Sequence, residues 1–403
     1  MLGHAETALA ELLQFARPAD QALSAYFRSH RNLGQQDRAF IAETVFAVLR
    51  RKRSLEMAAG GAAPRDLVIA ALVRVFGLSG RALDADAALV TRIKSAVTRD
   101  FPPAVQADLP DWLWERLVAE YGAEESSAIA QGLLGAAPLD LRVNLAKLSR
   151  EDALERLGME AAPTPYSPAG IRLKGKPQIN RHALFLEGCV EVQDEGSQLL
   201  AYLLAPRRGE MVADFCAGAG GKTLALSMLM HGTGRLYAMD VSEKRLRELA
   251  PRAARAGISN VHPIVLAGEG DIRVKRLAGK LGRVLVDSPC SGFGTLRRNP
   301  DLKWRHAAGA VTELAAKQLR ILEAAAKLLK PGGRLVYATC SILSEENEAV
   351  AERFAAGHAE FAPLSCDKLL AVSRISLQTG ERLRLWPHRH GTDGFFAAAF
   401  ERR

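Results

Sequence analysis

A chain of 403 residues, 48% hydrophobic and 25% charged, has the balance of an ordinary globular protein and is long enough for two or three domains. That excludes wholesale disorder, and it excludes a fold too small to stand without disulfide or metal staples. The formal net charge of +9 is uneven: residues 1–136 carry 15 basic and 16 acidic side chains, whereas residues 191–403 carry 31 and 23.

Through residue 136 the chain is rich in Ala and Leu, with apolar residues at helical spacing, as at Leu9, Leu12 and Leu13 and again at Ile41, Val45, Val48 and Leu49. Breaks at Gly60-Gly61, Gly77 to Gly80 and Pro102-Pro103 divide it into about six helices, so residues 1–136 are expected to form an all-α domain. From Pro138 the texture changes. Residues 139–144 alternate as a strand, Ser149 opens a short helix to residue 157, and residues 171–175 and 183–193 again read as strands, which makes residues 137–190 a small α/β insert.

Beyond Gly209 strand and helix alternate strictly. Strands are expected at 211–218, 235–240, 262–267, 283–289 and 334–341, and helices at 222–231, 242–256, 312–329 and 344–356. A closing strand pair is expected around 376–385 and 395–401. Repeated βα units imply an α/β domain over residues 191–403, a parallel, doubly wound sheet covered by helices. The basic excess of this part suits a polyanionic partner such as RNA, with plain solubility as the alternative.

Five cysteines occur, Cys189, Cys216, Cys290, Cys340 and Cys366, and none sits in a CxxC pair. This argues against a secreted disulfide framework and a structural zinc site, so no metal is expected and a reducing, cytoplasmic location is the default. No apolar run reaches the roughly 18 residues of a membrane span. The N-terminus lacks the basic start and continuous apolar block of a targeting signal. No membrane partner is expected, and a monomer is the default state.

The segment DFCAGAGGKT, residues 214–223, ends the first strand of the alternating region and opens a helix. Small residues let backbone approach a ligand closely, and the helix N-terminus offers free N–H donors. It fits neither GxxxxGK[ST] nor a clean GxGxxG. Asp240 ends the next strand, where an acid can accept both hydroxyls of a ribose. Together they point to an adenosine-containing cofactor, either a dinucleotide or S-adenosylmethionine; a tight, ligand-free connection is the plain alternative.

The fourth strand ends as VDSPCSG and the fifth as YATCS. In an open parallel sheet the carboxyl ends of strands line one crevice. Cys290 and Cys340, 50 residues apart in sequence, are therefore expected to be neighbours, with Asp287 facing the same space.

DFCAGAGGKT, DSPCSGFGTLRRNPDLKW and ATCS together resemble the S-adenosylmethionine-dependent RNA cytosine carbon-5 methyltransferases of the RsmB/Nop/Sun family, over roughly residues 135–403. DEGSQ at 194–198 and HGTDGFF at 390–396 fit the same pattern. The helical N-terminus resembles, by position and helicity alone, the NusB-like RNA-binding domain of bacterial members. The resemblance implies a Rossmann-like methyltransferase sheet and S-adenosyl-L-methionine as cofactor. It implies an RNA substrate, small-subunit (16S) ribosomal RNA first and transfer RNA as the near alternative.

For the chemistry, it implies that Cys340 adds to carbon-6 of a cytosine and that Cys290 assists release of the product. DNA cytosine methyltransferases use a cysteine after proline, which keeps Cys290 as the alternative nucleophile. Asp287 is expected to hold the amidine edge of the base and Lys222 to orient it. The donor is expected against the backbone of Cys216, Ala217, Gly218, Ala219, Gly220, Gly221 and Lys222, with its ribose on Asp240 and a further contact at Asp287. An acid after the third strand is expected near the adenine; AGEGDIR offers Glu269 and Asp271, and Asp271 is preferred. Ser288 stands where the family commonly has alanine. Arg297, Arg298, Lys303 and Trp304 are expected to meet RNA at the pocket rim by phosphate contact and base stacking. The alternative for Trp304 is packing its own loop down. Two other classes compete: a non-enzymatic RNA-binding or ribosome-assembly factor, and a dinucleotide oxidoreductase.

Overall fold

A computed structural model describes residues 1–403. The chain forms two compact units, one of Met1–Ala136 with Thr295–Ala308 and one of Ala137–Gly294 with Gly309–Arg403.

The first unit is helical throughout. Its main helices are Leu2–Leu12, Ala19–Ser29, Gln35–Arg50, Lys52–Ala59, Pro64–Arg74, Ala87–Ser95 and Asp111–Leu134. Leu9, Ile41, Leu49, Leu72 and Ile93 form the fully buried centre. Residues 295–308, expected within the α/β domain, pack here instead. The reason lies at the end of helix Gln35–Arg50, whose last carbonyls have no partner inside the helix. Trp304 Nε1 donates to Leu49 O and Lys303 Nζ to Arg50 O, each at 2.8 Å. Arg50 Nη2 returns a bond to Arg297 O at 2.9 Å, and Asp301 accepts from Ala19 N–H at 3.2 Å.

The second unit holds two sheets. The smaller consists of β1 (Leu139–Val143), β2 (Ala161–Pro163), β3 (Gly170–Leu173) and β4 (Val190–Val192), in the order β2-β3-β1-β4 and antiparallel throughout. Residues 183–193 are not the single strand expected. A helical turn, Ala183–Leu186, precedes β4, and the chain reverses at Gly188 with φ of 69°. A side chain there would lie 2.1 Å from Arg255 O, so only glycine fits.

The larger sheet contains β5 (Met211–Asp214), β6 (Arg235–Asp240), β7 (Val261–Val265), β8 (Leu281–Asp287), β9 (Leu329–Thr339), β10 (Phe361–Leu364), β11 (Leu383–Leu385) and β12 (Phe395–Arg402). The order is β10-β12-β9-β8-β5-β6-β7, with β11 paired to β12. β5 to β9 are mutually parallel and β12 runs antiparallel beside β9. Val212, Ala213, Val284, Leu285, Val286, Leu335 and Val336 are all fully buried, as expected of strands covered on both faces. From β5 the chain steps outward to β6 and β7, then returns to the other side of β5 for β8 and β9. The carboxyl ends of β5 and β8 therefore bound a topological switch point, the place where open α/β sheets bind ligands.

Candidate active site

Four strand ends converge on this crevice. After β5 the chain turns through Phe215 to Gly220 into helix Gly221–Leu229. Gly218 N–H donates to Asp240 Oδ2 at 2.8 Å, while Asp240 Oδ1 accepts from Ser242 N–H at 2.7 Å. The acid at the end of β6 is thus fixed to the glycine turn by backbone bonds. Gly220 has φ of 86°, and a Cβ there would meet Leu249 Cδ1 at 2.2 Å. Below the turn, Thr223 Oγ1 donates to Asp214 at 2.7 Å, and burial pushes Asp214 up to about 7. Two arginines brace the turn: Arg142 of the small sheet donates Nη1 to Gly221 O at 2.8 Å, and Arg252 of helix Leu249–Ala256 donates Nη1 to Ala219 O at 2.6 Å. Glu191 of β4 pairs with both Arg252 and Arg255.

A cavity of about 470 Å³ opens over these strand ends, a size suited to a small ligand. Cys216, Asp240, Asp287, Cys290 and Cys340 all form its wall. Ala217, Gly218, Ala219, Gly220 and Gly221 shape the turn behind that wall. Lys222 reaches the site through its 2.6 Å pair with Asp287. Burial alone would lower the Lys222 ammonium, but the Asp287 carboxylate more than offsets this and its pKa ends above the ordinary value.

The two sulfurs lie 3.3 Å apart. This contact and burial together push the Cys290 thiol well up. Gly294 N–H donates to Cys340 O at 2.8 Å, tying the loop after β8 to the end of β9.

Two expectations require correction. Asp271 does not line the cavity. It caps helix Ile272–Arg276, accepts from Ala267 N–H at 2.8 Å and chelates Arg273, which holds its pKa well below the usual carboxylate range. Glu269 is the acid on the wall. Lys303 and Trp304, expected to meet RNA, belong to the helical unit. Lys303 is only 2% exposed, and both side chains are spent on the carbonyls of helix Gln35–Arg50. Arg297 is likewise buried, and Arg298 is half-buried.

Residues outside the expected set also shape the site. Helix Glu348–Gly357 begins four residues later than expected because Glu346 and Asn347 turn inward. Fully buried Glu346 accepts from Ser291 and Ser341, the neighbours of the two cysteines. Asn347 Nδ2 donates to Ser341 O at 3.2 Å. The SEENE run at 344–348, two residues after ATCS, was the available signal, but adjacent acids on a helical pattern ordinarily face solvent.

The cavity suits an adenosine-bearing sulfonium donor on the chemistry of its wall. It offers a carboxylate at the end of β6, and beside it Val241, 65% exposed, presents an apolar shelf facing Leu266 and Ile321. No group of three or more His, Cys, Asp or Glu side chains is gathered to hold a metal ion. No helix is long and apolar enough to cross a membrane.

Residues 201–401 match the family described as 16S rRNA methyltransferase RsmB/F, and residues 109–180 match the ferredoxin-like domain of RsmF/B-like methyltransferases. Ribosomal RNA small subunit methyltransferase B of Sodalis glossinidius is 33% identical over 405 residues, covering 91% of this chain and 90% of that protein. The chain belongs to the RsmB/F methyltransferase family. A probable ribosomal RNA small subunit methyltransferase B of Synechocystis is 36% identical over 300 residues, which span 73% of this chain and 66% of that protein. Among solved structures, PH0851 superposes with a TM-score of 0.79 at 26% identity, covering 99% of this chain and 98% of that one. A methyltransferase homologue from Pyrococcus horikoshii superposes at 0.64 with 30% identity, covering 75% and 98%. Like the family, this RsmB/F member is a methyltransferase that uses S-adenosylmethionine, on a Rossmann-like sheet with a helical N-terminal region.

Proposed function

We propose that this RsmB/F-family enzyme methylates carbon-5 of a cytosine in small-subunit ribosomal RNA through a covalent bond between Cys340 and carbon-6. The observation that carries the reading is the pair of cysteine sulfurs 3.3 Å apart on the wall of the cavity at the switch point. The relatives named as small-subunit ribosomal RNA methyltransferases support the substrate.

Cytosine carbon-5 is a weak nucleophile. Addition of the Cys340 thiolate to carbon-6 moves the ring's π electrons toward carbon-5 and makes it enamine-like. Asp287 accepts from the amino group of the base and favours protonation of its ring nitrogen. Lys222, paired with Asp287, holds that carboxylate in place and keeps a positive charge beside the developing anion. S-adenosylmethionine supplies an electrophilic methyl group on a sulfonium. The carbon-5 proton passes to solvent water as the Cys340 sulfur departs, which restores the aromatic ring. Cys290, its sulfur 3.3 Å from that of Cys340, donates its thiol proton toward the departing thiolate. The target base must be out of any stack to reach Cys340, so a loop or single-stranded cytosine is the substrate.

Bisulfite sequencing of total RNA from a strain lacking the protein tests this reading. Loss of a 5-methylcytosine from 16S ribosomal RNA is expected. Loss confined to a transfer RNA would move the substrate, and an unchanged map together with no donor binding would favour an assembly factor.

A further inference from the structure

Glu346 lies under the two cysteine loops and is fully buried. Its Oε1 accepts from Ser291 N–H at 2.8 Å and from Gln318 Nε2 at 2.9 Å. Its Oε2 accepts from the hydroxyls of Ser291 and Ser341, both at 2.5 Å. Gln318 also donates to Pro289 O at 3.0 Å. Ser291 follows Cys290 and Ser341 follows Cys340, so one carboxylate grips both thiol-bearing loops at the adjoining residue. All four donors are neutral groups. Burying a carboxylate is costly unless its lone pairs are filled, and these four bonds fill them. An apolar residue could fill the same volume more cheaply, so plain packing is a poor account of a carboxylate here.

We propose that Glu346 is a positioning residue for the covalent cycle, tying the loop of Cys290 to the loop of Cys340 and thereby fixing the spacing of the two sulfurs. The idea rests on the two-cysteine reading above and goes beyond it by naming what holds the pair. Its consequence falls on release. Cys290 can protonate or shield the departing Cys340 thiolate only if the two sulfurs stay in contact. If the tether is cut, Cys340 can still add to the base, but the bond breaks slowly. Glutamine keeps the tether: its oxygen accepts from Ser291 N–H and Gln318, and its amide donates to the two hydroxyls, which can act as acceptors.

The test uses the full-length protein, S-adenosylmethionine and a 16S ribosomal RNA transcript, with the protein–RNA adduct read on a denaturing gel. With ordinary cytosine, Glu346→Ala is expected to raise the fraction held as adduct at least tenfold over wild type and to slow turnover tenfold or more. Cys290→Ala should behave alike, donor affinity should change less than twofold, and Glu346→Gln should recover turnover to within a few-fold of wild type. Turnover of Glu346→Ala within twofold of wild type overturns the proposal. So does a loss of turnover with no accumulated adduct, or a Glu346→Gln as defective as the alanine variant. If Glu346→Ala does not fold, Ser341→Ala cuts the tether on one side; adduct accumulation supports the proposal and wild-type release overturns it. A wild-type protein that gives no adduct even with 5-fluorocytosine in the transcript fails the parent reading instead, which separates the two.

Discussion

Lys222 Nζ lies 2.6 Å from Asp287 Oδ2, joining the helix that follows β5 to the end of β8 across the switch point. The ammonium is largely withdrawn from solvent, and so is most of the carboxylate, with side-chain exposures of 14% and 26%. Each needs the other: a charge this far from water is tolerated because its partner is fixed.

Removing the cation should therefore cost stability as well as activity, because the Asp287 carboxylate is left without its partner. For Lys222→Met, methyl transfer is expected to fall about 100-fold or more, the scale seen when one preorganised charge is lost from a site. Single-turnover methylation measures this, with donor binding as control. Activity within threefold of wild type would show that Asp287 works without its partner.

Asp240 holds Gly218 N–H and Ser242 N–H and faces the cavity. Asp240→Asn removes the charge while keeping the shape. S-adenosylmethionine affinity should fall about tenfold or more, since a hydrogen bond to a charged group is worth roughly 1.5–3 kcal/mol. Calorimetric titration decides it; an unchanged Kd would place the ribose elsewhere.

Gly220 sits at φ of 86° with Leu249 Cδ1 2.2 Å from where a Cβ would stand. Gly220→Ala should destabilise the second unit by about 1–3 kcal/mol through overpacking alone, with backbone strain adding to it. Denaturant unfolding followed at that unit would show a lower midpoint. An unaltered midpoint would mean the turn can relax around a side chain.

Lys303 gives a pH signature. Burial pushes its ammonium down to about 7 in the folded chain. An unfolded lysine holds its proton to about 10.4. Between those values the unfolded chain binds more protons, so stability rises with pH, by up to about 1.4 kcal/mol per pH unit. Below pH 7 both states are protonated and the slope vanishes. Lys303→Met keeps the apolar stem and should remove this slope, as urea unfolding at pH 7.5 and 9.5 would reveal. Parallel behaviour of the two proteins would refute the buried amine.

Much of this was legible in the sequence because the relevant physics is local. A parallel covered strand is a short apolar run, so β5, β6, β8 and β9 could be read directly, and with them the strand-end positions of Asp240, Asp287, Cys290 and Cys340. The misses arise where long-range contacts decide. Nothing near Lys303 or Trp304 in sequence announces that their donors complete the carbonyls of a helix more than 250 residues earlier. Asp271 and Glu269 are equivalent by composition, and only the capping of a short helix tells which one turns away. Glu346 looked like one more acid on a helix face until two serines from separate strand ends met on it.

Adduct trapping addresses the covalent chemistry most directly. RNA carrying 5-fluorocytosine cannot lose the group at carbon-5 as a proton, so the sulfur bond persists and is read on a denaturing gel. Wild type and Cys290→Ala should both give the adduct, and Cys340→Ala should give none. An adduct with Cys340→Ala that disappears in Cys290→Ala would contradict the account and make Cys290 the nucleophile.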